Sequence, residues 1–381
     1  MLFFAFTFSE VIRLETTYGF GIMALDVLVM GGSWLWYLTL LSQKKIRRDM
    51  VSRLFFLFLA CGLLGLILNP LNILPFQLAA SSMYLFRYLG FGLLFFSLRE
   101  EDQLKTFLHK VLLISGISIL ILGFLQFFLY SSLRNLFYLG WDEHLHRMFT
   151  TFLDPNFAGI FFTLFLLFLL YSLFHQLFSA KLLYILIPLT TIALLLTYSR
   201  SSYICAGVSL LILFSFEKKR KELSLFLAGV GVLFLVLLPT FFTHNTDLFR
   251  IASSVSRIDS YKEGWDIATR NVLTGVGFNT YRYAVAEYGY HRSSDVLYNH
   301  AEGGNDNSFL FVLATCGVGG LVIYIWFLYA LFKSLFHGDV KGLVLSSFVV
   351  LIVASFFNHA LFYTPILFWF YASLACIRQE K

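Results

Sequence analysis

The stretch TYSRSSY, residues 197–203, places Arg200 among hydroxyl side chains between two apolar runs. An arginine carries a permanent charge on a planar guanidinium whose N–H groups match two oxygens of a phosphate. Arg200 has no acidic neighbour in this stretch, and an unpaired cation beside hydrocarbon is costly. We therefore predict that Arg200 binds an anionic group, supported by Ser199. The alternative is a tight turn between helices whose hydroxyls satisfy its own backbone.

Three other arginines have surroundings that suit the same chemistry. Arg147 opens RMFTTFLDPNFAG, which also holds Asn156, and Arg257 lies in SRIDSYKEGWD, which also holds Trp265. Arg87 lies inside the apolar run YLFRYLGF, where an arginine either binds a lipid phosphate or forms a structural ion pair. We predict that these arginines converge on one anion, with Asn156 and Trp265 in supporting positions. For the Asp-Pro-Asn turn, the alternative is a capped helix entry.

The composition indicates that membrane helices position these residues. Hydrophobic residues make up 59% of the 381 and charged residues only 13%, about half the charge of a soluble domain. Apolar runs of ~17–25 residues recur along the chain, as a bilayer core requires. We predict an all-α polytopic membrane protein, a single transmembrane domain over residues 1–381 with about 12 (11–12) helices. The predicted spans are 1–16 (interrupted by charges), 19–42, 52–73, 76–97, 107–130, 157–175, 182–198, 201–216, 223–243, 307–333, 342–357 and 359–377.

The basic residues predict the orientation of these spans. Alternate loops and their flanks hold 17 of the 28 Lys and Arg residues, including 11 of the 12 lysines, which marks that side as cytoplasmic. The other side carries two hydrophilic segments, 131–156 and 244–306. Of the 11 basic residues left for that side and the spans, ten are arginine and one is Lys262. We therefore expect an anion-handling site on the outer face. The alternative is that the preference for cytoplasmic positive charge depletes lysine from the outer side. These arginines would then only extend to the membrane surface or pair with nearby acidic residues.

The larger outer segment is predicted to contain an amphipathic helix followed by a glycine turn at Gly275 and Gly277. The apolar positions of that helix are Ile258, Tyr261, Trp265, Ile267 and Ala268. The turn sequence GVGFNT lacks a preceding strand and a Walker lysine, so it is not a nucleotide-binding motif. We expect no cofactor.

The order of the outer stretches resembles the O-antigen ligase and O-antigen polymerase superfamily. The matching features are the segment from Arg147 to Asn156, the SRSS turn, the loop from Arg257 to GVG, and DNSFLFVLATCGVGG. In the last of these, Asn307, Leu310, Gly317 and Gly319 stand as in the family's motif. The resemblance covers roughly residues 70–377. Family ligases typically carry a histidine just before that asparagine, where this chain has Asp306, and often a glutamate where it has Thr315.

The resemblance implies a glycan transferase at the outer face of a bacterial cytoplasmic (inner) membrane. Its donor would be an oligosaccharide linked through pyrophosphate to undecaprenol, and its acceptor a glycan hydroxyl. Arg200, Arg257, Arg147 and Arg87 would bind the pyrophosphate. We expect a transfer without a metal and without nucleic acid, with the lipid bilayer as a partner and a chain-length regulator as a further candidate.

An acceptor hydroxyl is a poor nucleophile, so a positioned base would speed the transfer. Asp306, His300 and Glu302 lie next to the final motif, and Asp306 stands at the position of the family histidine, immediately before Asn307. We predict Asp306 or His300 as the catalytic base. Aspartate is also a favoured N-cap residue, so Asp306 could instead only start a helix.

The acceptor distinguishes two enzymes of this class. A polymerase joins the chain to another lipid-linked repeat unit, whereas a ligase moves it onto lipid A core or a protein. The missing histidine and the short chain favour a polymerase. A transporter or flippase for a lipid or anionic solute is the alternative from another class, and it would place charges or broken helices near the bilayer midplane.

Overall fold

The computed structural model describes residues 1–15, 21–139, 141–237, 251–290 and 303–376. This part of the chain is all-α apart from one short antiparallel hairpin, β1 (Arg13–Glu15) and β2 (Gly21–Met23). The helices are α1 Leu2–Phe8, α2 Ala24–Ser42, α3 Met50–Ile67, α4 Pro75–Glu100, α5 Asp102–Leu129, α6 Pro155–Phe174, α7 Ala180–Leu196, α8 Arg200–Phe216, α9 Arg220–Leu237, α10 Ile251–Arg270, α11 Tyr281–Glu287, α12 Ser308–Leu335, α13 Lys341–Ser355 and α14 Thr364–Ala375.

The long apolar helices support a polytopic membrane protein. Among the described residues, seven helices are long and apolar enough to cross a membrane: Ala24–Ser42, Met50–Ile67, Pro75–Glu100, Leu104–Leu129, Pro155–Phe174, Ser308–Leu335 and Gly338–Ser355. Four shorter apolar helices stand at other predicted spans, namely Leu2–Ile12, Ala180–Leu196, Arg200–Phe216 and Thr364–Ala375. The all-α membrane class is confirmed, whereas about twelve spans stays a prediction.

The first predicted span, 1–16, is not one continuous helix. After α1 the chain makes a single 3-10 segment, Ser9–Ile12, and then enters β1. Glu10 and Arg13, which interrupt the apolar run, form an ion pair of 3.0 Å instead. The helix therefore ends before this charged pair, and the chain continues into the hairpin.

The core of the bundle is built around α6. This helix is almost entirely buried and packs against α7, α8 and α13. Aromatic rings fill the space between α6 and α14, where Trp369 meets Phe161 and Phe165 edge-on at centroid distances of 5.0 and 5.7 Å. Such edge-to-face pairs add to the free energy of burial. The phenylalanine-rich composition thus serves interhelical packing.

Helix α12 is broken at Gly317, whose φ of 68° is not helical. The glycine turn that follows α10 fits against the break. Val276 and Gly277 donate backbone hydrogen bonds to the carbonyls of Ala314 and Thr315, and Val318 donates one to Val272. The positive φ values of Gly275 and Gly277 confirm the predicted glycine turn. Backbone groups freed by the break are therefore satisfied within the protein, as membrane depth requires.

Ion pairs connect the lysine-rich loops to one another. Arg99, at the end of α4, pairs with Asp49 at 2.7 Å, and Arg47 pairs with Glu100 at 3.2 Å. The loop after α6 is joined to the loop after α8 by His175 and Glu217, 3.3 Å apart. We call this part of the molecule, with residues 43–49, 99–101, 175–179, 217–219 and 336–340, the lysine-rich end.

Candidate active site

A cavity of about 670 Å³ lies away from the lysine-rich end. This volume is typical of a small-molecule site. Its walls come from the hairpin region, α4, the segment before α6, α10, α11, the residues before α12, and the turn between α13 and α14. The charged and polar residues that line it include Glu10, Arg13, Arg87, Asp142, His144, Asp154, Asn156, Arg257, Glu263, Arg282, Asn305, Asp306, Asn358 and His359. We call the part of the molecule around this cavity the cavity end.

Four arginines line the cavity, and two of them have carboxylate partners in fixed positions. Arg87 pairs with the buried Asp26 at 3.0 Å and stacks over the Tyr84 ring at 4.3 Å, so the predicted ion pair exists and also borders the cavity. Arg13 pairs with Glu10. Arg257 is different, because among the described residues no carboxylate lies within ion-pair distance of its guanidinium. The guanidinium carbon of Arg257 lies over the Phe357 ring, 6.0 Å from its centroid.

Asp306 lies on the cavity wall and does not cap α12. The cap is Asn307, whose Oδ1 accepts hydrogen bonds from the backbone N–H groups of Phe309 and Leu310. The capping alternative for Asp306 is therefore wrong, because the neighbouring amide already fills that position. The backbone N–H of Asp306 donates to the Ser260 hydroxyl at 3.2 Å, which fixes the loop to α10.

The charge of Asp306 acts on Tyr261 of α10. Burial raises the pKa of the Tyr261 phenol, and the Asp306 carboxylate raises that pKa further, while Arg257 opposes the shift. The nearby Asn307 side chain also opposes the rise of this pKa. Asp306, Arg257 and Asn307 thus act on the same tyrosine, so the structure brings three predicted site residues together.

The serine-rich turn before α8 links separate parts of the sequence. Ser199 donates to the Asn156 side chain at 3.0 Å, and the Asn358 amide donates to the Ser201 hydroxyl at 3.3 Å. Ser308, the first residue of α12, donates to the Asn358 carbonyl at 3.0 Å. These hydroxyls therefore connect α6, α8, α12 and the turn after α13. The alternative interpretation, in which they satisfy only the backbone of their own turn, does not account for these contacts.

The entry to α6 is capped as the Asp-Pro-Asn sequence indicates. The Asp154 carboxylate accepts from the backbone N–H groups of Asn156 and Phe157 at 2.6 and 3.3 Å. Burial raises the pKa of Asp154, and those two hydrogen bonds together with Arg147 act against the shift. The cap presents Asn156 at the cavity wall.

Five of the described predicted site residues do not line the cavity: Ser199 and Asn307, whose hydrogen bonds are given above, and Arg147, Arg200 and Trp265. Arg147 is buried, and its guanidinium donates to the carbonyls of Thr197 and Tyr198 at 3.0 and 3.3 Å, where it caps the end of α7. Arg200 is the partly buried first residue of α8. Trp265 is 61% exposed, and its supporting role stays a prediction. In that helix, Ile267 and Ala268 are buried, whereas Ile258 is exposed.

His359 is a cavity residue that the sequence analysis missed. It was assigned to the start of a predicted span, 359–377, but α14 begins only at Thr364. The available signal was the polar pair Asn358–His359 between two apolar runs. The other histidine candidate, His300, and Glu302 lie outside the described residues. Within the described ranges, no group of three or more His, Cys, Asp or Glu side chains is placed to hold a metal ion.

A family model described as O-antigen ligase matches residues 182–325. Residues 182–325 are therefore similar to that family, and we refer to this matched segment as the O-antigen ligase domain. The resemblance based on the SRSS turn, the GVG loop and the DNS helix start is therefore confirmed over that range. The O-antigen ligase domain contains Arg200, Arg257 and Asp306, while Arg87 and His359 reach the cavity from outside the matched segment. A search of curated proteins finds no match to the chain.

Proposed function

We propose that this protein transfers a glycan from a polyisoprenyl pyrophosphate to an acceptor hydroxyl at the outer face of a bacterial cytoplasmic membrane. The family match supports a role in surface polysaccharide assembly of the O-antigen ligase or polymerase type. The observation that carries the finer proposal is the cavity lined by Arg257 without a carboxylate partner among the described residues. A cation in that position has its hydrogen-bond donors available for phosphate oxygens.

The leaving diphosphate gains negative charge as its bond to the sugar breaks. Arg257, Arg282 and Arg87 line the cavity from three different helices, so they would surround that group from several directions. Preorganised cations of this kind stabilise a developing charge more than a mobile solvent does. Arg200, at the mouth of α8, is proposed to contact the donor outside this central group, and Arg147 is left to its role at the end of α7.

The reaction breaks one bond and forms one. The acceptor oxygen attacks the anomeric carbon, the bond from that carbon to the diphosphate oxygen breaks, and its electron pair leaves with the diphosphate. Asp306 takes the proton of the acceptor hydroxyl. This attack from the face opposite the leaving group inverts the anomeric centre, and we propose that it proceeds without a metal, since the arginines supply the positive charge.

A polymerase is the preferred form of this activity, with a ligase as the alternative. Both carry out the same bond exchange and differ in the acceptor that enters the cavity. The aspartate at the position of the family histidine separates this chain from the ligase pattern. In a polymerase the acceptor is a second lipid-linked repeat unit, and a chain-length regulator is a proposed partner.

A transporter is less well supported, although two of its expected features are present. Arg87 and Asp26 form an ion pair in the interior, and α12 is broken. Arg87 is held by Asp26 in that pair, however, and the break is closed by the backbone of residues 272–277. Both features are thus accounted for by contacts within the described part of the protein.

The test is a transfer assay with purified protein in liposomes that contain a lipid-linked repeat unit. We expect new glycosidic bonds with the wild-type protein. Arg257→Lys should lose ~30-fold or more of the rate, because lysine keeps the charge and lacks the bidentate fork; loss of such a contact costs ~2–5 kcal/mol.

The matched control for this assay is Lys262→Arg on the same helix. Lys262 is 74% exposed and pairs only weakly with Asp259 at 3.5 Å, so this exchange should leave the rate unchanged. Movement of the lipid-linked glycan across the bilayer without new bonds would favour the transporter. Normal transfer by Arg257→Lys would contradict the phosphate role of Arg257.

A further inference from the structure

His359 lies in the short turn between α13 and α14, and two motifs of the O-antigen ligase domain hold that turn in place. Asn358, the residue before it, donates to Ser201 of the SRSS turn and accepts from Ser308 of the DNS helix start. The Leu361 N–H also donates to Ser308 at 3.4 Å. These hydrogen bonds fix the turn on both sides of His359, which lines the cavity.

The surroundings of the ring are apolar on one side and open to the cavity on the other. His359 packs edge-on against Phe311 with centroids 4.2 Å apart and stacks with Phe362 at 5.2 Å. Gly304 passes beside the ring, and a Cβ there would lie 3.4 Å from it. The Nδ1 atom is buried and makes no hydrogen bond with the part of the chain that the structure describes. The ring nevertheless lines the cavity.

The protonation state of His359 follows from these neighbours. Burial lowers the pKa of the imidazole to about 3, and the nearby Arg87 charge contributes to the shift. Arg257, Arg282 and Asp306 line the same cavity. The ring is therefore neutral at physiological pH and carries one N–H.

The environment also favours one tautomer. A buried N–H without an acceptor is rarer in proteins than an acceptor without a donor. The hydrogen therefore belongs on Nε2 rather than on the buried Nδ1. A neutral imidazole of this kind polarises an oxygen by donating a hydrogen bond and does not have to lose a proton.

We propose that His359 donates a hydrogen bond from Nε2 to an oxygen of the leaving diphosphate in the transition state. This inference rests on the proposed function and adds a neutral donor to the arginines. Asp306 remains the group that accepts the proton of the acceptor hydroxyl. Because the bond strengthens as charge develops on the oxygen, it should affect turnover more than substrate binding.

The test compares His359→Ala and His359→Gln in the transfer assay. Removal of one donor to a developing anion costs ~10²–10³-fold in kcat, so the alanine variant should fall by that factor with KM changed less than about fivefold. Glutamine keeps a neutral N–H donor at a similar distance from the backbone and should recover at least about tenfold over alanine. His146→Ala is the control, because His146 is exposed and does not line the cavity.

Three measurements separate this role from other roles of the ring. A structural role predicts a lower midpoint of thermal unfolding and loss of rate in both variants, which would overturn the proposal. A base role predicts that glutamine is as inactive as alanine, with wild-type activity falling as His359 becomes protonated, and this would also overturn it. An alanine variant within threefold of the wild-type kcat overturns the inference alone, whereas a wild-type protein that forms no glycosidic bond overturns the proposed function and this inference together.

Discussion

The lysine-rich end and the cavity end both contain partly buried arginines, but the two ends use them differently. At the lysine-rich end, Arg99 is held by Asp49 and Glu100, and Glu100 also binds Arg47. At the cavity end, Arg257 has no carboxylate partner among the described residues. An arginine that is already paired stabilises the arrangement of the helices. An arginine that faces a cavity without such a pair is available to a ligand.

The cavity end also contains paired arginines, and their position is informative. Arg87 and Arg13 each have a carboxylate partner and still line the cavity. They add positive potential to the cavity while their geometry stays fixed by Asp26 and Glu10. Breaking such a buried pair leaves a charge without a partner, at a cost of about 3–5 kcal/mol. Arg87 and Arg13 therefore help to build the cavity, whereas Arg257 is available to a ligand inside it.

The largest expected difference between the two ends is in chemical labelling from outside the membrane, which should modify one end and not the other. Single cysteines at Lys219 and Lys262, on a background without the four native cysteines, would be treated with an impermeant maleimide in spheroplasts. We expect labelling at position 262 and none at 219, since the lysine-rich end is predicted to be cytoplasmic. Both side chains are accessible in the fold, with exposures of 42% and 74%, so sidedness decides the outcome. Labelling at 219 in intact spheroplasts would contradict the topology.

The next largest effect compares two glycines with a positive φ, one at each end. At the cavity end, a Cβ on Gly317 would overlap the backbone of Leu273, and the residue has φ +68°. At the lysine-rich end, Gly338 has φ +55° with nothing within 4 Å of such a Cβ. Gly317→Ala should cost about 2–5 kcal/mol from backbone strain and overpacking together, and Gly338→Ala about 1–2 kcal/mol from strain alone.

The readout for these glycine variants is the midpoint of thermal unfolding in detergent, followed for both proteins under the same conditions. Equal shifts would show that the pairing of the GVG turn with the break in α12 does not contribute to stability. A larger shift for Gly338→Ala would contradict the assigned geometry at both ends.

The third prediction compares two aspartates and is expected to change rate without changing stability. Asp306→Asn should lower the transfer rate by ~10²-fold or more, because asparagine does not accept a proton at neutral pH. The helix cap is unaffected, since Asn307 provides it. Asp339→Asn at the lysine-rich end is the control and should leave the rate unchanged, as Asp339 is exposed and does not line the cavity. Full activity of Asp306→Asn would contradict the role of Asp306 as the catalytic base.

Local features of the chain were predicted correctly where the physical cause is itself local. The apolar runs correspond to helices because a run of that composition has to bury or embed its length. The glycine turn at Gly275 and Gly277 was found because positive φ favours glycine. The cap at Asp154 follows from an Asp-Pro-Asn sequence, in which the carboxylate meets the free N–H groups of the first turn.

At two positions the local pattern did not decide the structure, because tertiary contacts outweighed it. Trp265 stands at an apolar position of the helical repeat, yet it is exposed, since the neighbours of α10 cover Ile267 and Ala268 instead. Asp306 has a favoured cap side chain, but the next residue performs the capping. Periodicity and residue type narrow these choices, and only the packing of the neighbouring helices selects among them.

The sequence by itself determined the membrane class, the distribution of lysine and arginine, and the motifs of the O-antigen ligase domain. The tertiary structure decided which arginines face the cavity: Arg257 does, whereas Arg147 is used by the carbonyls at the end of α7. It also brought His359 beside Gly304 and fixed that turn through Ser201 and Ser308. These contacts join residues 50 to 157 positions apart. No local propensity encodes them, because they arise only when separate helices pack side by side.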